Sequence, residues 1–374
     1  MSAPVIAGSP SFATAARTYL PALTGVRALA AYLVCLHHYN PYPVGTWMDD
    51  ALREFHVGVP LFFVLSGFLI TLRYFGTEQW TGRWWGRYLR NRVARIYPMF
   101  FLLTTLTYAV LFLSKGPSVF YSWLFNVTFL SGFFDDYKYT GIPQGWTLTV
   151  EECFYLFAPL AFALLRRRPR LLWLLPLALL GVGAVLVNTL GRLEHHGLFG
   201  NYLFMLLFTF FGRAVEFFAG VQLALWFRRG QLRPARGLLT GAGLLLLAAV
   251  VAALVAVRGP ADEFGQETPW GVVLNNVVLP GGIVLFYAGL LTEGTWLRRL
   301  LSTRLLQVLG KSSYVFYLIH IGVLQQCVKG HVSTNSWVVF GLMNLLAIAL
   351  YYLVEQPLNR WLRVPYAAET VTRH

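Results

Sequence analysis

The chain has 374 residues, 57% of them hydrophobic and only 12% charged, with a mean hydropathy of +0.57. That balance excludes an ordinary soluble multidomain protein, and the lack of apolar–polar alternation over about ten residues excludes a membrane β-barrel. The net charge of +14 lies in short clusters between apolar runs, as membrane-orientation signals do, so it is read as no sign of a nucleic-acid partner.

Residues 1–19 lack the basic start and apolar core of a signal peptide and are expected to form a flexible cytoplasmic N-terminus. Apolar runs near the roughly 20 residues needed to cross a bilayer follow at about 20–40, 56–75, 96–114, 146–165, 171–190, 201–227, 237–257, 271–292, 308–329 and 335–354. Residues 119–134 form a shorter run. If that run crosses, Arg166-Arg167-Arg168-Pro169-Arg170 lands outside; if it is re-entrant or interfacial, every dense basic cluster falls on one side. The positive-inside rule favours the second layout. The expected fold is an all-α membrane protein, with about ten transmembrane helices in one bundle plus a short re-entrant or interfacial segment. Both termini are cytoplasmic, residues 20–358 form the membrane domain and 359–374 a cytoplasmic tail. Trp146, Trp226, Trp270 and Trp337 near span ends suit an interfacial belt in contact with membrane lipids. Cys35, Cys153 and Cys327 lie inside apolar runs without a C-x-x-C pattern, so neither a disulfide framework nor a metal site is expected.

An ionisable group deep in a bilayer costs about 2.5–3.5 kcal/mol on insertion scales, so each one asks for a reason. The first run carries Arg27, His37 and His38. Eleven helical steps return to within about 20° of the starting direction and climb about 16 Å, so Arg27 and His38 share one face. Such a face suits a polar channel through the bundle; snorkelling of Arg27, with the histidines among outer headgroups, is the competing reading. Glu151 and Glu152 lie in the outer part of the run at 146–165, at a depth similar to His38. A carboxylate there could fix the tautomer of an imidazole and stabilise its protonated form, but adjacent residues point about 100° apart, so one of the two at most faces His38. Water-exposed interfacial acids are the alternative.

Before the run at 96–114 come Arg83, Arg87, Arg90, Arg92 and Arg95, more cations than orientation requires. They suit the phosphates of a nucleotide such as coenzyme A, or anionic lipid headgroups. Arg213 and Glu216, three apart, are expected to neutralise each other. Ser66 beside Gly67 marks close helix packing rather than a nucleophile, because no acyl-transfer elbow surrounds it. With His37, Glu152 and His320, Ser66 is a candidate for lining the channel.

With these residues in view, the chain resembles the acyltransferase 3 family of membrane O-acyltransferases from about Leu20 to Leu358. Leu23-Thr24-Gly25-Val26-Arg27 leading to His38 is similar to the family's arginine, ten residues, histidine signature. Phe62-Phe63-Val64-Leu65-Ser66-Gly67, Arg90-Asn91-Arg92 with Arg95-Ile96-Tyr97-Pro98, and Trp146-Thr147-Leu148-Thr149-Val150-Glu151 follow in the family's order. Gly310 to Tyr314, Tyr317-Leu318-Ile319-His320 and Val354-Glu355-Gln356-Pro357 close it. Thr24 stands where an aspartate is usual, and Gln356 where a basic residue is.

The resemblance implies transfer of an acyl group, by family habit acetyl, from cytoplasmic acyl-CoA to a hydroxyl, usually of a cell-envelope glycan in or beyond the bacterial inner membrane. His38 would be the catalytic residue, either a general base oriented by Glu151 or a transient acyl carrier. Arg27, Arg90, Arg92 and Arg95 would hold phosphates or the thioester carbonyl. No esterase-like domain such as some relatives carry is expected, so transfer is expected to finish in the membrane domain or on a partner. Residue chemistry alone also admits a transporter of a lipid-linked sugar or small anion, or a lipid-binding sensor.

Overall fold

The computed structural model describes residues 19–193, 195–259 and 263–364. The expected N-terminal lead-in, Tyr19 apart, and residues 365–374 of the tail lie outside the described residues. Among those described, the chain is helical with no named strand, and a single bridge pairs Phe134 with Leu198.

Among the described residues, eight helices are long and apolar enough to cross a membrane, and each coincides with one of the ten expected runs. The two runs that fall short of this measure are the polar ones. The first is α1 (Pro21–His38), eighteen residues interrupted by Arg27 and closed by His37 and His38. The other, 308–329, breaks at His320, where Gly322 takes a φ of 107°. It leaves Arg304–Ile319 before the break and Val323–His331 after it.

The core of the bundle crosses α2 (Gly58–Tyr74) against a helix over Phe210–Arg228. A Cβ on Gly67 would meet the backbone of Phe217, and one on Gly220 would meet that of Val64, so small residues let these two backbones touch. Between them the crossing helix carries Arg213 and Glu216, both buried and 3.1 Å apart, as their spacing suggested. Asn276 completes the charge cluster by accepting from Arg213 at 3.2 Å.

Helix α3 (Gly82–Lys115) unites the basic stretch 83–95 with the apolar run at 96–114. It starts at Thr81, whose hydroxyl accepts the Trp84 N–H. Thirty-four residues rise about 51 Å, well beyond the roughly 30 Å of hydrocarbon, so the arginine-rich third projects past the apolar zone. At Gly116 (φ 68°) the chain turns, and α4 (Phe120–Val127) folds back on α3. Trp123 donates to Thr105 at 3.1 Å and Asn126 to the Tyr108 hydroxyl at 2.9 Å. Eight residues span about 12 Å, too short to cross, which fits the re-entrant or interfacial expectation for 119–134.

Two π-helical turns, Leu274–Val278 and Tyr351–Glu355, each end two residues before a proline, Pro280 and Pro357. A proline cannot donate and crowds the carbonyl four residues back, and a widened turn relieves both. The second of these turns delivers Glu355 to the candidate site. Besides α1, α2 and α3, the site is lined by α5 (Trp146–Arg167) and α6 (Arg304–Ile319), which packs along α1.

Candidate active site

The face shared by Arg27 and His38 runs beside three cavities in series. The first, about 240 Å³, is an arginine cavity walled by Arg27, Arg73, Arg92, Arg95 and Arg363. A middle cavity of about 130 Å³ has Arg27, Arg92 and Arg95 in common with it and adds Ser66, Glu151 and Tyr155. A histidine cavity of about 360 Å³ meets the middle one at Val59 and Tyr317 and is walled by His37, His38 and His56. Arg27 therefore borders the first two cavities and His38 the third, as stacking along one helix face predicts.

The cations differ in how far they are neutralised. Arg95 pairs with buried Glu355 at 2.5 Å, while the second oxygen of Glu355 has no hydrogen-bond partner. Arg92 donates to the Tyr74 hydroxyl at 3.1 Å and lies 5.2 Å from the Tyr74 ring centroid and 5.8 Å from that of Tyr155. Arg27 has no hydrogen-bond partner among the described residues, so its guanidinium is available to whatever enters the two cavities it borders. Arg90 is not among them. It is exposed, and its Nε donates to the Leu362 carbonyl at 2.7 Å. At about 100° per residue, Arg92 and Arg95 share a helix face while Arg90 points some 200° away from Arg92. Arg73 and Arg363 line the arginine cavity, and Arg90 does not.

Glu151 is also placed otherwise than expected. Its carboxylate accepts from the Ser66 hydroxyl in the middle cavity rather than meeting His38. Glu152, about 100° further round α5, lines none of the three cavities. The ring that meets His38 belongs to His320, which is 1% exposed: its Nε2 lies 3.4 Å from Nδ1 of His38.

Carbonyl oxygens only accept, so they assign the tautomers. Nδ1 of His38 contacts the Val34 carbonyl at 2.8 Å and must carry the proton, which leaves the lone pair on Nε2. Nδ1 of His320 contacts the Tyr317 carbonyl at 2.8 Å, so its Nε2 is the acceptor for the His38 N–H. On the other side of His38, the His37 ring lies 4.8 Å away, with Nδ1 held on the Arg53 carbonyl at 2.5 Å. His56 continues the row 5.7 Å from His37 and is tied to buried Glu54 at 2.9 Å. Glu54 in turn accepts the Gly265 N–H at 2.7 Å. Sequence reasoning missed Glu54 and His56, although an acid and a histidine two apart at the edge of an apolar run were a readable signal.

This arrangement joins a cationic cavity, an unpaired guanidinium and an imidazole with a fixed free lone pair. A family described as an acyltransferase domain matches residues 20–355. The chain is a member of the acyltransferase 3 family. It is 29% identical over 336 residues to acyltransferase MdmB of Streptomyces mycarofaciens, covering 82% of this chain and 79% of that protein. Identity to O-acetyltransferase OatA of Staphylococcus aureus is 28%, over 41% of this chain and 26% of that protein. Peptidoglycan O-acetyltransferase OatA of Listeria monocytogenes is 25% identical over 93% of this chain, which spans about half (56%) of that relative. No solved structure matches. Within the acyltransferase 3 match fall Arg27, His38, Ser66, Arg92, Arg95, Glu151, His320 and Glu355; Arg363 lies beyond it.

Proposed function

We propose that this acyltransferase moves an acyl group, acetyl in the simplest case, from cytoplasmic acyl-CoA to a hydroxyl of an extracytoplasmic or membrane-linked glycan. The observation that carries the reading is the Nε2 lone pair of His38, fixed by the Val34 contact and placed at the far end of cavities that begin with five arginines. The positive-inside rule supports a cytoplasmic arginine end with both termini on that side, and the bacterial relatives suit a bacterial cytoplasmic membrane. Cell-envelope glycan as acceptor class is supported by the peptidoglycan named for the Listeria relative.

In the proposed reaction, arginines of the first cavity hold the phosphates of the donor, and its thioester arm enters the middle cavity beside Arg27. The acceptor hydroxyl gives its proton to Nε2 of His38 as its oxygen attacks the thioester carbonyl. The C–S bond breaks, the ester forms, and the thiolate takes the proton back from His38. The Nδ1–H of His38, shared between Val34 and His320, holds the ring in place while it is positively charged. Glu151, held by Ser66, balances the cations lining the middle cavity rather than orienting His38.

The test is release of free coenzyme A from acetyl-CoA by purified protein in lipid nanodiscs, with envelope glycan fragments as acceptors and donor binding measured in the same samples. Release by wild type but not by His38→Ala, with donor binding kept in both, is the expected result. Failure of the wild type to bind acetyl-CoA, or undiminished release by His38→Ala, would overturn the proposal.

A further inference from the structure

The histidine cavity has a polarity opposite to that of the arginine cavity. Three carboxylates, Asp135, Glu263 and Glu267, line it against a single lysine, Lys138. Asp135 is already satisfied, bonded to Lys138 and accepting from Asn201 at 2.9 Å. Glu263 is exposed and Glu267 half-buried, and neither has a cationic partner among the described residues. Glu267 uses Oε2 to accept the N–H groups of Glu263 and Phe264, at 2.9 and 3.2 Å.

A second observation points the same way. Gln144 lines this cavity, is 3% exposed and donates through Nε2 to the Tyr317 carbonyl at 2.5 Å. Its Oε1 is buried with no hydrogen-bond partner. An acceptor oxygen left bare in a buried wall calls for a donor from a ligand or water. The aromatic lining already accommodates a positive charge: Nζ of Lys138 lies 5.0 Å from the ring centroids of both Tyr139 and Phe208, and 5.6 Å from that of Phe204. Lys138 already occupies those faces, so a further ammonium is left to the carboxylates of Glu263 and Glu267. The wall is rich in acceptors and negative charge, so a phosphorylated or carboxylated acceptor would face unpaired carboxylates.

Building on the acyl-transfer reading, we infer that the acceptor bound in the histidine cavity carries an ammonium group on a ring-shaped body, as an amino sugar does. Its positive charge sits against Glu263 and Glu267, its ring body lies against the aromatic wall, and a hydroxyl of the same molecule donates to Gln144 or to Nε2 of His38.

The test titrates the full chain in nanodiscs with phenyl β-glucosaminide and with phenyl β-glucoside, at a pH where the amine is protonated, and reads binding by calorimetry. The aminoglycoside is expected to bind about tenfold more tightly, a magnitude typical of a partly desolvated ammonium against carboxylate. The double variant Glu263→Gln with Glu267→Gln is expected to bring that ratio near unity. Glutamine at 267 keeps an oxygen for the two backbone N–H groups. Should the double variant fail to fold, Glu263→Gln alone, at an exposed position, is expected to lower the ratio. Equal affinities, tighter binding of the neutral glycoside, no binding of the glucosaminide, or a ratio the folded variants leave untouched would each overturn the inference. His38-dependent release of coenzyme A, followed separately, reports on acyl transfer itself, so the two readings fail independently.

Discussion

His320 stands against His38 with ring centroids 5.2 Å apart, and its only free nitrogen, Nε2, is 3.4 Å from the protonated Nδ1 of His38. The tie between His320 Nδ1 and the Tyr317 carbonyl fixes that polarity, so His320 acts as an acceptor that positions the other ring. Loss of a general base costs about 10²–10⁴ in rate, and His38→Ala is expected to fall in that range. His320→Ala should lower turnover less, by about 10-fold or more, and shift the pH–rate profile by altering the basicity of His38. His320→Gln, which can still offer an oxygen, should recover part of both. If His320→Ala and His320→Gln lose activity equally with an unchanged pH profile, His320 is structural only.

The separation of Arg90 from Arg92 and Arg95 makes a comparison within one helix. Removing a charge-assisted hydrogen bond costs about 1.5–3 kcal/mol, or roughly 10- to 100-fold in affinity. Arg92→Ala and Arg95→Ala are expected to weaken acetyl-CoA binding by that much. Arg90→Ala should leave it within about twofold, because its Nε is engaged with Leu362 at the surface. Equal losses at all three positions would show that the donor also binds outside the arginine cavity.

Much of the frame was legible because apolarity over about 20 residues is a strong signal in a bilayer. Local spacing also carried over: Arg213 meets Glu216 at i, i+3, and Arg27 and His38 share a face at i, i+11. What local spacing cannot supply is the partner across the bundle. Glu151 finds Ser66 on another helix, and His38 finds His320 where a helix break turns the expected span. The helical period separates Arg90 from Arg92 but does not say which of the two faces the cavity. The Glu54–His56 pair was visible in sequence, but its place depends on Gly265, which folds in from a distant loop.

Gly310 tests whether the contact between α1 and α6 sets the catalytic geometry. A Cβ at this position would fall well inside van der Waals contact of the Thr24 carbonyl. The two helices also place His38 and His320, so pushing them apart acts on both. Gly310→Ala is expected to cost about 1–3 kcal/mol of stability, as overpacking does, and to reduce turnover while acetyl-CoA binding persists. Thermal unfolding and donor titration on the same sample separate the two effects. Unchanged turnover in a destabilised variant would uncouple this helix contact from the site.

Glu293 offers a pH test at the membrane edge. It is 2% exposed and caps the helix over Leu238–Val257 from outside, accepting the N–H groups of Leu239 and Thr240 at 3.0 Å and the Thr240 hydroxyl at 2.6 Å. Burial by itself raises the pKa of this carboxyl, but the hydrogen bonds from Thr240, Leu239 and Ala235 outweigh it and hold the group below the ordinary glutamate range. A pKa lower in the folded than in the unfolded protein stabilises the fold above the unfolded value, about 4.3, and that contribution is lost as pH falls through the folded value. Glu293→Gln should therefore lower stability at neutral pH by about 1–2 kcal/mol, the usual worth of a helix cap. The gap between wild type and variant should stay constant down to about pH 5 and narrow below pH 4. Thermal unfolding across that range measures it; a gap independent of pH would mean that Glu293 acts through shape and not through its charge.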